Sequence, residues 1–285
     1  MAFLKMRNPR TSSLREVCLL KKIDHINRKS IKKNFFDKKF FAKKNAGRNN
    51  SGRITVFTRG SGHKKVFKHF IVRTPILQGI VESIEYDAYR TASIARIYSN
   101  FDKRHFYVLA PLGLKRGHYI SSQFSTLKEV SYSPGNSFFL SKLPIGSLIY
   151  NIPFFSNKRK KKYAVQAAGC SGIIITRTAK YCKIRLPSGC LKLFSANSIV
   201  SLGSLSNPLH KKIILGKAGR SRWLRKKPSV RGVAMNPIDH PHGGGQGKTS
   251  GGRPSCTPWG KLTRGQPTKK NIYNDKSFKL ERSFF

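Results

Sequence analysis

Apolar and polar residues alternate in short bursts through the middle of the chain, and each burst ends at Gly, Pro, Asn or Ser. Alternation with a period of two marks strands that bury one face. The runs that fit are Ile54–Thr58, Lys65–Val72, Ile80–Tyr86, Ala92–Tyr98, His105–Ala110, Ser147–Ile152, Ile173–Thr176, Tyr181–Leu186 and Leu191–Phe194. Many short strands at close spacing predict small antiparallel barrels. The clearest run is Tyr181–Leu186, where Tyr181, Lys183 and Arg185 alternate with Cys182, Ile184 and Leu186. Pro187–Gly189 supplies a turn into Leu191–Phe194, which predicts a hairpin with one basic face. Cys182, in phase with Ile184 and Leu186, reads as a small buried hydrophobe.

The pattern fails at both ends and once in between. From Met1 to Ala46 the Phe pairs and Lys pairs keep no single face apolar, so this part reads as an extension that orders on a partner. The run F-S-N-K-R-K-K-K at Phe155–Lys162 interrupts the strand rhythm. It reads as a boundary between a region of about a hundred residues and one of about sixty, each enough for a small barrel, and also as a run that could touch phosphate. After Leu215, Gly216–Gly232 mixes seven cations with Trp223 and small residues. Val230–Arg264 then has almost nothing with which to build a core, so burial cannot offset its ordering entropy. It needs a partner.

Charge identifies the partner's chemistry. The 285 residues carry 57 Lys and Arg against 11 Asp and Glu, a formal net charge of +46. No acid occurs from Val130 to Ile238, so internal ion pairs cannot absorb these cations. A polyanion must. A membrane span needs ~20 consecutive apolar residues, and the apolar stretches here, such as Gly172–Thr176 and Ile213–Leu215, are a few residues long. The basic runs sit among Gly, Pro and Ser rather than on one side of an amphipathic helix. Nucleic acid is therefore expected, and a membrane is not.

Catalytic constellations are sparse. The five cysteines, Cys18, Cys170, Cys182, Cys190 and Cys256, are odd in number and lack C-x-x-C spacing, which argues against a disulfide framework or a zinc knuckle. Asp239-His240-Pro241-His242 is the one cluster with chemical potential, since two imidazoles could hold a metal and Asp239 could orient His240 as a base. A hydrolytic zinc site needs a further ligand, and the next carboxylate is Asp275. Ser250 and Ser255 lie outside any nucleophile-elbow pattern. Gly243–Gly247 lacks the spacing and the preceding strand of a nucleotide-binding loop, and its glycines read as allowing close approach to RNA. The expectation is no enzyme, no metal and no cofactor, with a metal-dependent RNA-processing enzyme built on Asp-His-Pro-His as the alternative. A generic basic compactor of nucleic acid, without ordered barrels, is the third reading.

Specific motifs narrow this further. V-R-G-V-A-M-N-P-I-D-H-P-H-G-G-G-Q-G-K (Val230–Lys248) followed by T-P-W-G (Thr257–Gly260) resembles the C-terminal signature of the large ribosomal subunit protein two family, in its bacterial and organellar form. Further matches follow in order: Gly47–Val56, Gly60–Lys65, Ile84–Ala95, Leu109–Gly117, Pro134–Ile152, Ala167–Gly169, Leu186–Gly189 and Leu215–Trp223. The resemblance spans about Pro9–Thr268 and implies a mostly β fold. Its parts would be a basic N-terminal extension over 1–59, an OB-type RNA-binding barrel over 60–152, an SH3-like barrel over 153–220, and a Gly/His/Pro-rich basic extension over 221–285. It also implies a structural role in the large subunit and binding to large-subunit rRNA. Neighbouring ribosomal proteins, the small subunit and the peptidyl-transferase region would be its other surroundings.

Phosphate contacts are expected from Arg48, Arg53, Lys217, Arg220, Arg222, Arg225 and Arg231, because guanidinium groups fork onto phosphate and glycines let the backbone approach. Trp223, Trp259, His240 and His242 are candidate base or sugar contacts. Within or beside the matching motifs, Asn49, Arg59, His63, Lys64, Lys65, Lys226, Asn236, Lys248, Arg253 and Arg264 complete the expected RNA-binding set. Departures from the family pattern are Ser61 in place of a Gly, and Gln246 and Lys248 where Glu and Arg are common. Met1–Arg15 has the Arg, Ser and Thr of a transit peptide, but Glu16, Asp24 and Asp37 follow soon. Thr11–Arg15 resembles the family's own N-terminus, so no long cleavable presequence is expected. Abundant Lys, Ile, Phe and Asn suit an AT-rich genome, which points to a mitochondrial ribosome, with plastid or bacterial cytoplasm as alternatives.

Overall fold

The computed structural model of the protein describes residues 4–20, 44–65, 78–101, 103–122, 131–154, 163–247 and 249–265. The chain divides into two compact units, Met1–Lys43 with Lys64–Ala218, and Lys44–His63 with Gly219–Phe285. The first unit holds all the strands among the described residues.

Its N-terminal part is a short antiparallel pair, β1 (Leu4–Met6) and β2 (Cys18–Leu20). Cys18 exchanges backbone hydrogen bonds of 3.1 and 2.9 Å with Ile214, and Val17 is buried. Residues 4–20 are thus folded on the chain itself, which differs from the reading of 1–46 as an extension. Val17 and the residues after it are too few to show a period, and their partner lies almost two hundred residues away. Of the Lys/Phe-rich stretch, 28–43 lies outside the described residues, as do 155–162 and most of the candidate strand Lys65–Val72.

A four-stranded antiparallel sheet follows, made of β3 (Gln78–Glu85), β4 (Ile94–Ser99), β5 (Arg104–Leu109) and β6 (Tyr119–Ser121), in the order β5-β4-β3-β6. Val81, Ala95, Ile97, Ala110 and Ile120 fill its inner face. Gly79 has no substitute here, because a Cβ would run into the Tyr98 carbonyl on β4. Between Val81 and Ser83 the register with β4 slips, leaving Glu82 as the extra residue of a bulge.

The larger antiparallel sheet combines β7 (Ser137–Phe139), β8 (Leu148–Tyr150), β11 (Gly172–Arg177), β12 (Tyr181–Arg185), β13 (Leu191–Ser195) and β14 (Ile199–Leu202), in the order β13-β12-β11-β8-β14-β7. β9 (Ile152–Pro153) and β10 (Tyr163–Ala164) form a small pair beside it. Phe138, Leu140, Leu143, Ile149, Ile152, Ile174, Cys182, Ile184 and Phe194 make up its core. Each fully buried Ile contributes about 1.5–3 kcal/mol. The β12–β13 hairpin agrees with its sequence pattern: Cys182 and Ile184 are buried, Lys183 opposes Leu193, and Gly189 takes the left-handed turn position at φ 86°. Burial pushes the Cys182 thiol up, the protonated form of a structural cysteine.

The two sheets share a seam. Ala92, Ile94 and Leu109 from the first meet Tyr150 and Leu205. The Tyr150 hydroxyl donates to the Leu109 carbonyl at 3.3 Å, and the Ser93 amide donates to Ser206 Oγ at 3.0 Å. The fold is mostly β, an OB-type sheet followed by an SH3-like one, in agreement with the expected class. Of the candidate runs, Ile54–Thr58 is not a strand: Ile54 makes an isolated bridge to Arg48 within a turn. Strands β6, β7 and β14 are three or four Ser-containing residues each, too short to show a period.

Candidate nucleic-acid interface

The second unit joins two stretches far apart in sequence. The one α-helix among its described residues, α1 (Ala218–Trp223), ends in a Schellman-type turn. The Lys226 amide bonds the Ser221 carbonyl at 3.0 Å and the Arg225 amide bonds the Arg222 carbonyl at 3.0 Å. The left-handed position, usually Gly, is held by Arg225 at φ 71°. The chain then runs antiparallel to 58–63. The Lys227 amide donates to Thr58 O at 2.9 Å, the Gly60 amide to Arg225 O at 2.9 Å, and the His63 amide to Trp223 O at 3.1 Å. Gly62 is needed, since a Cβ there would strike the Arg225 side chain. Its neighbour Ser61 is not in the left-handed region, so the departure from Gly at that position carries no backbone strain.

Residues 47–56 form a compact turn. The Thr55 and Val56 amides both donate to the Gly47 carbonyl, and Asn49 Oδ1 accepts from the Arg53 amide at 2.9 Å and from Ser51 Oγ at 2.8 Å. Asn49 therefore builds the turn that sets Arg48 and Arg53 outward, and both arginines are exposed.

The Asp-His-Pro-His segment is a knot of turns. The Asp239 and His240 amides donate to Asn236 O at 3.0 and 3.3 Å, and the Gly243 amide to His240 O at 2.9 Å. His240 is 8% exposed. Its Nδ1 accepts the His242 amide at 3.0 Å, so neutral His240 carries its proton on Nε2. The two rings meet edge to face at 4.9 Å. His242 Nε2 lies 3.2 Å from Cys256 Sγ and 3.4 Å from Pro254 O, which ties the knot to the next turn. There Cys256 bridges Leu262, and the Thr257 amide donates to Lys261 O at 2.8 Å. Trp259 projects from this turn and is 71% exposed.

The glycines of the knot have reasons within the chain. A Cβ on Gly232 would come within 2.5 Å of the His240 ring, and one on Gly243 would overlap the Asn236 carbonyl. This revises their reading as openings for RNA: close approach is what they allow, but to their own chain. Asp239 is exposed, no hydrogen bond links it to His240, and among the described residues no group of three His, Cys, Asp or Glu could hold a metal.

Most of the expected RNA-binding set is brought together here. Arg48, Asn49, Arg53, Arg59, His63, Arg222, Trp223, Lys226, Arg231, Asn236, Arg253, Trp259 and Arg264 are exposed on the second unit, with Arg220, Arg225 and His242 half-buried and His240 enclosed. Lys64, Lys65 and Lys217 belong to the first unit, where Lys65 Nζ donates to the Ala88 carbonyl at 3.0 Å. Lys248 lies outside the described residues. The described residues of the second unit carry thirteen Lys and Arg against the single acid Asp239. Three of those cations, Lys44, Lys227 and Lys261, were not in the expected set. Adjacency to Arg225 and Lys226 was the signal for Lys227, whereas Lys44 is marked by its bond to the Gly62 carbonyl at 3.1 Å, which no sequence pattern shows.

Comparison with known proteins bears on this chemistry. The family model for Ribosomal Proteins L2, RNA binding N-terminal domain, matches residues 39–122, and that for Ribosomal Proteins L2, C-terminal domain, matches residues 133–260. Large ribosomal subunit protein uL2m of Reclinomonas americana is 46% identical over 226 residues, 78% of this chain and 79% of that protein. Large ribosomal subunit protein uL2 of Wolbachia pipientis subsp. Culex pipiens is 44% identical over 279 residues, 97% and 98% of the two chains. Its namesake in Rhodospirillum rubrum is 40% identical over 274 residues, 95% and 94%.

Proposed function

The chain belongs to the ribosomal protein L2 family, and from that premise we propose that it is a structural constituent of the large ribosomal subunit whose second unit docks on rRNA. The observation that carries the docking surface is that the described residues of the second unit set thirteen cations against one acid, on turns and one short helix with no hydrophobic core cluster among them. Phosphate neutralisation removes the repulsion and supplies the affinity, and the fixed turns supply shape. His240 shapes the knot from inside, while Arg231, Asn236 and Arg253 around it reach the RNA. In this reading the protein acts as a scaffold, and Asp239-His240-Pro241-His242 serves to hold the turns of the docking surface.

The finer placement belongs to the same proposal. The chain sits near the peptidyl-transferase region, beside neighbouring ribosomal proteins, and supports association with the small subunit. Its ribosome is mitochondrial, a reading supported by the Lys, Ile, Phe and Asn content and by the likeness to a mitochondrial relative. The division into an OB-type barrel over 60–152 and an SH3-like barrel over 153–220 belongs to this proposal as well, and the pairing of β7 and β8 with β14 supports an earlier boundary, near Ser137. The test is sedimentation of the tagged full chain from fractionated mitochondria at moderate and raised salt. Co-migration with large subunits is expected, and recovery only in free, RNA-poor fractions would overturn the assignment.

A further inference from the structure

The outer face of the first sheet carries a row of side chains that the docking unit does not use. Tyr119 on β6 opposes Ile80 on β3, Ile80 opposes Tyr98 on β4, and Tyr98 opposes His105 on β5. Directly opposed residues of antiparallel strands lie on one face, so the four form one line across the sheet. With strands ~4.8 Å apart the line is about 14 Å long. Tyr119 is 57% exposed and Ile80 42%. The Tyr98 and His105 rings are in contact at 5.1 Å, tilted by 50°. The buried alternates Val81, Ile97 and Ile120 point to the other side, so the row is not core turned outward.

Cations flank both ends. Lys103 and Arg104, both exposed, lead into His105. Lys115 and Arg116, also exposed, lead into Tyr119, and their turn is tied to β3 by the Gly117 amide on Val81 O at 2.8 Å and the Val81 amide on His118 O at 2.9 Å. Among the described residues, the one carboxylate beside the row, Glu82 of the bulge, is already engaged by Arg96 Nε at 2.8 Å and lies 3.3 Å from His105 Nδ1. The face is therefore a line of π surfaces between two positive turns. A folded protein partner would match the apolar part but leave the flanking cations unneutralised. Unpaired nucleotides match both, with bases for the rings and phosphates for the turns.

We propose that Tyr119, Tyr98 and His105 form a stacking platform for two or three unpaired nucleotides of RNA. Ile80 is the apolar floor between them. The platform rests on the reading that the chain binds RNA, but it uses residues outside the second unit.

The full chain, and its Tyr119→Ala and Tyr119→Phe variants, are titrated by fluorescence anisotropy with a labelled oligouridylate of about twelve nucleotides, an OB-sized site, and with an RNA duplex. Raised salt suppresses purely electrostatic binding. Tyr119→Ala is expected to weaken the single-strand complex about tenfold and leave the duplex complex within about twofold, while Tyr119→Phe keeps the ring and the affinity. Cross-linking with a 4-thiouridine oligonucleotide is expected to mark peptides that contain Tyr98, His105 or Tyr119. An unchanged titration in Tyr119→Ala with no such cross-link overturns the platform and leaves the face to a protein neighbour. Equal loss on single strand and duplex also overturns it. Both outcomes leave sedimentation with the large subunit untouched, so the platform can fail without the rRNA assignment failing.

Discussion

Gly243→Ala adds one methyl group at the centre of the Asp-His-Pro-His knot. The new Cβ would overlap the Asn236 carbonyl oxygen, with the Asn236 carbonyl carbon at 2.6 Å and Met235 O at 2.7 Å. All three obstacles are backbone, so no side chain can swing away and the turn itself must move. Gly243 does not have a left-handed φ, so alanine brings no conformational penalty, and its restriction of the unfolded chain would favour folding by ~0.4–1 kcal/mol. Steric overlap wins: overpacking of this kind costs about 1–3 kcal/mol. The displaced turn loses the bonds from the Gly243 amide to His240 O at 2.9 Å and from the Gly244 amide to Met235 O at 3.1 Å. Hydrogen exchange of the RNA-free full chain, read by mass spectrometry, is expected to lose roughly 5- to 150-fold of its protection over 235–244. Gly219→Ala is the control. Its Cβ meets open space on α1, and it is expected to leave the knot alone and stabilise the helix by ~0.5–1 kcal/mol. If Gly243→Ala keeps wild-type protection yet loses RNA binding, the glycine serves the partner and not the chain, and the internal-packing argument is refuted.

Arg231→Ala is expected to weaken binding to all RNAs alike and to make the log affinity against log salt slope shallower by ~0.7–0.9; an unchanged slope would show that Arg231 touches no phosphate. Purified wild-type chain is expected to hold no stoichiometric zinc and to cleave no RNA, and His242→Ala to cost about 1 kcal/mol through its contacts with Cys256 and His240. One-to-one zinc, with cleavage lost in that variant, would restore the metal-dependent alternative. Burial holds the Tyr150 hydroxyl well above the usual tyrosine range, against a smaller opposing effect of the Ser201 hydroxyl. The neutral form is thus the one the fold prefers, and its stabilisation is complete below the unfolded value of ~10 and shrinks as pH rises beyond it. Thermal melts from pH 9 to 11 should fall more steeply for wild type than for Tyr150→Phe, and parallel curves would place Tyr150 in contact with water.

The strand regions were legible wherever alternation ran long enough to show a period. Tyr181–Arg185 is the example: Cys182 and Ile184 turned inward as the pattern required, because side chains of a pleated strand must alternate. Ser137–Phe139 and Ile199–Leu202 were not legible. They are short, contain Ser, and become strands through long-range pairing, with each other over some sixty residues and, for Ile199–Leu202, also with β8. The cationic site was legible as a set of residue types, since charge needs no fold to be counted. Its arrangement was not, for Arg59 meets Lys226 only when segments more than a hundred and fifty residues apart fold together.

Composition by itself determined that the partner is a polyanion, because +46 with so few acids has no internal counter-charge. It also determined that Val230–Arg264 has no core of its own. Only the tertiary structure decided what that stretch does with its glycines and histidines. The His240 ring lies against Gly232, its Nδ1 is occupied by the His242 amide, and the Asn236 carbonyl closes on Gly243. These are contacts between backbone and side chain at turns, where no periodicity exists to announce them. The same holds for Tyr119, Ile80, Tyr98 and His105, which share a face because cross-strand register aligned them.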